Sequence, residues 1–423
     1  MSGEERAASS EPTLGAGDRA PSDLAFAFVC TLEPERAEFH GPAYSPAGQM
    51  FQRDLLQALA AAGLVAGDVF SFRCMPAFPR GRSLRAAGGE EEVAGARVRF
   101  LPYVNVQPLK PLTAGLSLLA ALLAWRWRTR GARRRLIHCM NLHMPPGPFA
   151  LLAARLTGSR LTASLMDVFQ PGVNVPDHWK WRVDYLLHRW VIPRLDGVMV
   201  VSPAIAEDLA GRRPVCHIEG GVGSRSLAPL PRPPRPRSGP FVVAFAGSLE
   251  PINCIGFLLD TLDHLPEGGF RLLIAGEGSL AGLVRERAAR DGRIEYRGLL
   301  SFEEVRAMYA EADALLCIRR TGNHREYFFP SKLMEYLASG VPVVTTCIGG
   351  VEEELGDRVV LLRDETPAAL AALLQDLAST ASEERDALGR RGRDYVLRHK
   401  TWDAQGRKLA AFLLEVVGSR PLH

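Results

Sequence analysis

The sequence lacks most of the devices that brace or anchor a chain from outside its core. Its seven cysteines are an odd number at wide spacing, with no C-x-x-C among them, which argues against a disulfide framework or a zinc site. Cys30, Cys74, Cys139, Cys216, Cys254, Cys317 and Cys347 fall mostly in apolar runs and read as small core residues in a reducing compartment. Neither H-x3-H nor D-x-D occurs, so the spacings that hold zinc or a carboxylate-bound divalent cation are missing. No run reaches the ~20 apolar residues of a membrane-spanning helix. The first 23 residues have no apolar stretch of the kind a secretory signal needs and are expected to form a disordered tail. Charge of one sign is scarce too. The net charge of +4 does not imply nucleic acid unless the cations share a face.

What is there is core. The chain has 423 residues, 47% hydrophobic and 23% charged, enough for two packed domains. Apolar runs of strand length alternate with helical spacing: LAFAFVC (24–30), then 48–64; LIHCM (136–140), then 147–158; RLTASLMD (160–167), then 179–195; GVMVVS (197–202), then 203–211. Continuous apolar strands separated by helices predict parallel sheets covered on both faces. Residues 225–240 then place six prolines in sixteen positions and can form neither helix nor central strand. The same alternation restarts after them, with strands at 241–247, 271–276, 294–298, 312–318, 341–346 and 358–362. The expected architecture is α/β: an N-terminal Rossmann-like domain over 24–228, a Pro-rich linker at 229–240 and a second Rossmann-like domain over 241–400. Ligands of such sheets bind beyond the carboxyl ends of the strands, which makes a cleft between the two domains the expected site.

One segment of the second half carries chemistry. REYFFPSKLMEYLASGVPVVTT (325–346) predicts a short helix opened by Pro330 or Ser331 and closed by Gly340. Leu333, Met334 and Leu337 make its apolar stripe, and Glu335 is not needed for it. Helical side chains lean toward the N-terminus, so the Glu335 carboxylate is expected near the first turn. There free N–H groups favour a phosphate, and Lys332 adds a point charge. A carboxylate beside a diphosphate site suits a ribose diol, hence a nucleotide-sugar. The plain alternative is an exposed Lys332–Glu335 helix pair.

The segment and its neighbours resemble the retaining glycosyltransferases of the GT-B fold, family 4 in particular. FAGSLEPINCIGFLLDTLDHL, RLLIAGEGSLAGLV, IEYRGLLSFEEVRAMYAEADALLCIRR, YFFPSKLMEYLASGVPVVTT and GGVEEEL carry the likeness over 241–378. SPAGQMFQRDLLQALAAAGL, NLHMPPGPFALLAARLTG and VVSPAIAEDL carry it more loosely in the first domain. The resemblance implies transfer of a glycosyl group from a nucleoside-diphosphate sugar to an acceptor hydroxyl with retention, without metal or other cofactor. Glu335 matches the second acid of the family's Glu-x7-Glu motif, which holds the ribose. Gly247, with Ser248 beside it, matches the glycine that lets the backbone approach the diphosphate. Gly276 and Gly278 match the loop near the base, Gly48 the first-domain glycine loop, and Asp167 the acid of a His-Asp pair near the acceptor. Pro330 and Ser331 join the donor-binding set. The resemblance also implies that a C-terminal helix within 401–423 packs back toward the first domain.

Three family groups are missing or displaced. Tyr327 stands where the first motif Glu belongs, with Glu326 one place early; Ser248 and Asn253 stand near the family's basic pair; Met166 replaces the His before Asp167. Arg319, Arg320, Arg325 and Lys332 are available to steady the leaving diphosphate, Arg320 and Lys332 being the preferred pair, with Asp167 orienting hydroxyls. A degenerate, non-catalytic binding protein and a sugar-nucleotide epimerase remain as alternatives.

A basic apolar segment runs from Thr113 to His138. After a leucine face, Trp125 and Trp127 interleave with Arg126, Arg128, Arg133, Arg134 and Arg135. It reads either as a helix packed on the first sheet that ends in a solvated basic turn, or as an amphipathic surface helix touching anionic lipid. The expected partners are a nucleotide-sugar donor and an acceptor glycan, lipid-linked glycan or small molecule, with peripheral membrane contact and no nucleic acid. The expected location is cytoplasmic, extending to the inner face of the plasma membrane.

Overall fold

The computed structural model describes residues 21, 23–34, 46–142, 146–166, 178–209, 211, 213–231, 239–320, 329–330 and 332–419. The chain divides into two compact units, the first comprising Met1–Val201, Ile205–Ile218 and Trp402–His423, the second Ser202–Ala204 and Glu219–Thr401.

In the first unit the chain runs β1 (Leu24–Cys30), α1 (Pro46–Ala61), β2 (Asp68–Ser71), β3 (Arg85–Ala86), β4 (Gly89–Val93), β5 (Ala96–Phe100), β6 (Tyr103–Val104) and α2 (Leu109–Arg128). It continues through β7 (Arg134–Met140), α3 (Pro146–Thr157), β8 (Arg160–Leu165), α4 (Trp179–Val191), β9 (Gly197–Val200), α5 (Pro203–Leu209) and β10 (Val215–His217). The main sheet has the order β10-β9-β8-β7-β1-β2-β5-β4. Every pairing in it is parallel except the edge hairpin of β4 with β5. That hairpin sets Glu90 against Arg99 with a 2.8 Å ion pair, a charged edge of the kind that blocks further strand addition. In the middle strands, His138 is fully buried between Thr162 Oγ1 at 2.9 Å and Ser164 Oγ at 2.8 Å. Burial pushes its imidazole down to about 3, so it is a neutral core group.

The second unit holds α6 (Ser224–Leu227), β11 (Phe241–Ala246), α7 (Ile255–Thr261), β12 (Phe270–Ala275), α8 (Ala281–Arg290), β13 (Ile294–Tyr296), α9 (Phe302–Glu311) and β14 (Ala314–Cys317). Then come α10 (Lys332–Ala338), β15 (Val343–Thr346), α11 (Val351–Leu355), β16 (Val360–Leu362), α12 (Pro367–Ser379) and α13 (Ser382–His399). Its sheet, β13-β12-β11-β14-β15-β16, is parallel throughout. Successive side chains alternate between faces. Val243, Phe245, Leu272 and Ile274 therefore join one core, and Ala244, Ala246, Leu273 and Ala275 the other. The last helix, α14 (Trp402–Gly418), belongs to the first unit. It lies against α1, where Gly406 is so close that a Cβ would stand 2.6 Å from Ala58 Cβ.

Two expectations are corrected here. The passage between units falls at Ile218–Glu219, and residues 225–227, read as unable to form helix, complete α6 ahead of the Pro-rich 229–240 segment, of which 232–238 lie outside the described residues. Val222 N donates to Lys400 O at 2.8 Å, so the chain is already committed to second-unit hydrogen bonds before the prolines begin. The basic segment is also not one lipid-facing surface. Trp125 is only 1% exposed and Arg135 8%. Trp125 continues the inner stripe of Ala114, Leu118 and Leu122, and Arg135 donates to the carbonyl of Thr129 at 2.7 Å. Trp127, at 71% exposure, and the exposed Arg128, Arg133 and Arg134 remain outside.

Where the chain passes back toward the first unit, three charges meet below the surface. Lys400 Nζ lies 2.7 Å from Glu219 Oε2 and 2.6 Å from Glu354 Oε1, with Glu219 1% and Lys400 7% exposed. Tyr395 donates its hydroxyl to Glu354 Oε1.

Candidate functional site

In the second sheet β11 pairs with β12 on one side and β14 on the other, so the strand order reverses there and leaves a crevice beyond the carboxyl ends. The loops leaving β11 and β12 extend the ladder past the strands. Gly247 N donates to Ala275 O at 2.9 Å and Leu249 N to Glu277 O at 2.9 Å. This close approach requires glycine. A Cβ on Gly276, at φ +132°, would sit 1.8 Å from Gly247 O, and one on Gly278 2.6 Å from Leu249 O. Because the obstacle at Gly276 is backbone, Gly276→Ala is expected to destabilise the protein by about 2–3 kcal/mol, read as a shift of the denaturant midpoint.

Helix α10 is bolted to this crevice through Tyr336. The fully buried Tyr336 hydroxyl accepts from Ala246 N at 3.0 Å and donates to Ala246 O at 3.0 Å, holding α10 against the last residue of β11. Leu333, Met334 and Leu337 are buried as the spacing predicted. The anchor aims two charged groups. Lys332 Nζ lies 5.3 Å from the centroid of the Phe245 ring and so close over Gly247 that a Cβ there would stand 1.3 Å from it. That ammonium is buried and has no hydrogen-bond partner among the described residues. Burial pulls its pKa below the lysine range, and Arg319 adds to the effect. One turn on, burial pushes the Glu335 carboxyl above the usual carboxylate range, against the fields of Lys332 and Arg306. A desolvated cation without a hydrogen-bond partner among the described residues, beside a desolvated acid, forms a site that gains free energy by taking an anion and a hydroxylated group.

The other expected residues are placed less uniformly. Pro330 is buried just ahead of α10, whereas Ser331, Arg325, Glu326 and Tyr327 lie outside the described residues. Ser248 and Asn253, where the family's cations were expected, bond to each other. Asn253 Nδ2 donates to Ser248 O at 2.7 Å and to Ser248 Oγ at 2.9 Å, so a neutral amide shapes this loop. Arg320 is exposed. It is Arg319 whose field reaches both Lys332 and Cys317, while its backbone N–H donates to Thr346 Oγ1 at 3.2 Å. Strand parity is the signal that finds it: Leu315 and Cys317 face the α10 core, and residue 319 continues that row. In the first unit, Gly48 lies in the first turn of α1, its carbonyl accepting from Gln52 Nε2 at 3.0 Å. The neighbouring Gln49 Oε1 accepts from Glu33 N at 2.8 Å. Asp167 lies outside the described residues. Met166, in the histidine's place, donates its N–H to Asn141 Oδ1 at 3.0 Å.

Both units match known families. Residues 240–380 match the family described as glycosyl transferases group 1, and residues 48–217 that described as glycosyl transferase 4-like domain. Among curated proteins, WcaL of Salmonella typhimurium, named for colanic acid biosynthesis glycosyltransferase activity, is 31% identical over 150 residues, 34% of this chain and 37% of that protein. A glycogen synthase of Mycobacterium tuberculosis is 26% identical over 222 residues, 49% of this chain and 52% of that one. The chain thus spans about half, or less, of the curated relatives it matches. Among solved structures, Anabaena HepE in complex with UDP superposes with a TM-score of 0.62 at 14% identity, over 91% of this chain and 98% of that one. Sucrose-phosphate synthase of Thermosynechococcus elongatus superposes with a TM-score of 0.61 at 16% identity, over 91% and 97%. At such identities the likeness is one of fold, and the fold is GT-B.

Proposed function

Given that this chain belongs to the group 1 glycosyltransferases, we propose that it moves a glycosyl group from a nucleoside-diphosphate sugar to a hydroxyl of an acceptor glycan, free or lipid-linked, with retention at the anomeric carbon. The observation that carries this reading is the buried Lys332 ammonium, without a hydrogen-bond partner among the described residues, lying over Gly247, with the desolvated Glu335 carboxyl one turn away on the same helix. A donor diphosphate laid across Gly247 supplies the anion that Lys332 lacks, and Glu335 accepts hydrogen bonds from the ribose diol. HepE, a neighbour of the same fold, has been solved with UDP and with UDP-glucose, which supports a nucleotide-sugar as the donor.

In the reaction, the bond from the anomeric carbon to the diphosphate oxygen breaks as the acceptor oxygen bonds to that carbon. The acceptor proton leaves with the diphosphate. Negative charge grows on the departing oxygen, and a cation already fixed there lowers the barrier without reorganisation. Lys332 and Arg319 take that role, Arg320 contributing from the exposed loop. α10 has only seven residues, so its amino end is a lesser source of positive field than the side chains. Asp167 keeps the role of orienting hydroxyl groups that its sequence position suggests.

The test is release of nucleoside diphosphate from a panel of nucleotide-sugars supplied with glycan acceptors. Glu335→Ala is expected to lower turnover of the accepted donor by roughly 10–100-fold, the loss of a hydrogen bond to a charged group. Conversion of a donor to its sugar epimer without diphosphate release would identify an epimerase instead. Binding of a donor with no turnover of any acceptor would identify a non-catalytic binding protein.

A further inference from the structure

The strand β15 is buried from end to end, yet it reads Val-Val-Thr-Thr. Threonine and valine have nearly the same shape. What a buried threonine adds is a hydroxyl, which costs free energy unless it is hydrogen-bonded. Both hydroxyls of β15 are bonded, and both on the β14 side. Thr345 Oγ1 donates to Cys317 O at 2.9 Å, beside the last rung of the ladder, where Cys317 pairs with Thr345. Thr346 reaches further. Its Oγ1 donates to Arg319 O at 2.5 Å and accepts from Arg319 N at 3.2 Å. β14 ends at Cys317, so the backbone groups of residue 319 lie past the strand pairing, and one side chain serves both of them.

α10 is mounted in the same way. There the buried Tyr336 hydroxyl accepts from Ala246 N and donates to Ala246 O, and so holds the helix that carries Lys332. The fully buried Thr346 makes the same two bonds to the residue that carries the second cation. These cations need such mounts because they repel. Burial lowers the Lys332 pKa, and the Arg319 field adds to the fall. Arg319 is half-buried, and Arg320 after it is exposed. On a loose backbone, repulsion and hydration would both draw the guanidinium outward. A cation lowers the barrier of a charge-forming step most when it is in place before the charge develops; one that must first be drawn in loses part of that advantage to reorganisation. Satisfying two backbone groups at a strand end would account for the bonds alone. Support of the reaction would show itself in turnover, and only through Arg319.

We propose that Thr346 is a positioning residue of the donor site: its hydroxyl fixes residue 319 so that the Arg319 guanidinium meets, together with Lys332, the negative charge growing on the leaving diphosphate. This rests on the sugar-transfer reading and adds a residue to it. The experiment is a double-mutant cycle on the full chain. It takes kcat and donor KM for the donor turned over from a panel of UDP-, GDP- and ADP-linked sugars, and the denaturant midpoint of each protein. Thr346→Val removes the hydroxyl and keeps the shape. It is expected to lower kcat roughly tenfold while donor KM moves by less than about threefold. Thr346→Ser, which keeps the hydroxyl, is expected to stay within about threefold of the parent kcat. In an Arg319→Met background Thr346→Val is expected to cause no further loss, because the group it positions is gone. Thr346→Cys, whose thiol is a weaker donor and acceptor, is expected to fall between the parent and the valine variant, and it serves the same comparison where the valine variant does not fold. A valine or cysteine variant that keeps the parent kcat while its midpoint falls, or a loss of equal size with and without Arg319, would overturn the proposal and leave the transferase reading standing. A parent protein that releases no nucleoside diphosphate from any donor would overturn that reading, and the proposal with it.

Discussion

Lys332→Met is expected to lower kcat by roughly 10²–10³-fold, the cost of removing one preorganised group that meets developing negative charge. Methionine keeps most of the side chain's length over Phe245 and Gly247 and removes only the charge. Stability is expected to hold or rise, because the ammonium is buried without a hydrogen-bond partner among the described residues and an unpaired buried charge opposes folding. This split between activity and stability is the diagnostic. A variant that lost both together would mean that Lys332 serves the fold, and the site assignment would fail. A pH dependence follows from the same burial. The folded-state pKa of Lys332 is lowered, so the fold gains stability as pH rises through that value toward the ordinary lysine range. In the free enzyme kcat/KM is expected to fall on the alkaline side earlier than an unperturbed lysine would allow, and kcat/KM against pH checks it.

Lys400→Met is expected to destabilise the protein by about 3–5 kcal/mol, the usual cost of removing one partner from a buried ion pair, measured by denaturant unfolding. The lysine stands between Glu219 and Glu354, and without it two carboxylates face each other below the surface. Burial raises the Glu219 carboxyl, with the Lys400 field opposing and Glu354 adding to the rise. Burial also pushes at Glu354, yet hydrogen bonds from Glu219, Lys400 and Tyr395 hold it below its ordinary value. The two carboxyls therefore titrate as a pair around Lys400, the Glu219 side shifted up and the Glu354 side down. The Glu219 contribution to stability is present below the ordinary carboxyl pKa and drains as pH rises through its raised value. The Glu354 contribution has the opposite sense, present above the ordinary pKa and lost as pH falls through the lowered one. Glu219→Gln, a stand-in for the protonated acid, is expected to flatten the dependence of unfolding free energy on pH from about pH 5 to 8. A parent protein with no such slope would remove the raised Glu219 from the account.

The alternation of strands and helices was legible because strands covered on both faces must be apolar along their whole length, as Phe26–Cys30 and Val243–Ala246 are. Lys332 and Glu335 were legible for a different reason. The stripe of Leu333, Met334 and Leu337 accounts for the fold of α10 and leaves those two charges unexplained. Other features depend on contacts between distant positions. Glu219, Glu354 and Lys400 are ordinary charged residues in the sequence, and only the fold brings them within hydrogen-bond reach. The spacing of residues 179–195 predicted an amphipathic helix but not which side faces in. An apolar stripe is normally assigned to the core, and α4 buries Asp184 and His188 instead. α13 was hidden by its composition, since a helix with so many exposed charges (Ser382–His399) has little periodic signal and is held by Gly389, Gly392 and Val396. Arg319 and Arg320 differ only in the parity of the strand before them.

The position of α14 sets an order of events during synthesis. Leu409, Phe412, Leu413 and Val416 are buried on the first unit, with Phe412 and Val416 so near Gly197 that a Cβ there would stand within 2.9 Å of both. The ribosome emits those residues after the whole of the second unit. Of the two units, the one begun earlier is consequently the one completed later. Until Trp402–Gly418 emerges, one side of β7 to β10 stays bare, a stretch of nascent chain on which chaperones would have their longest opportunity to act.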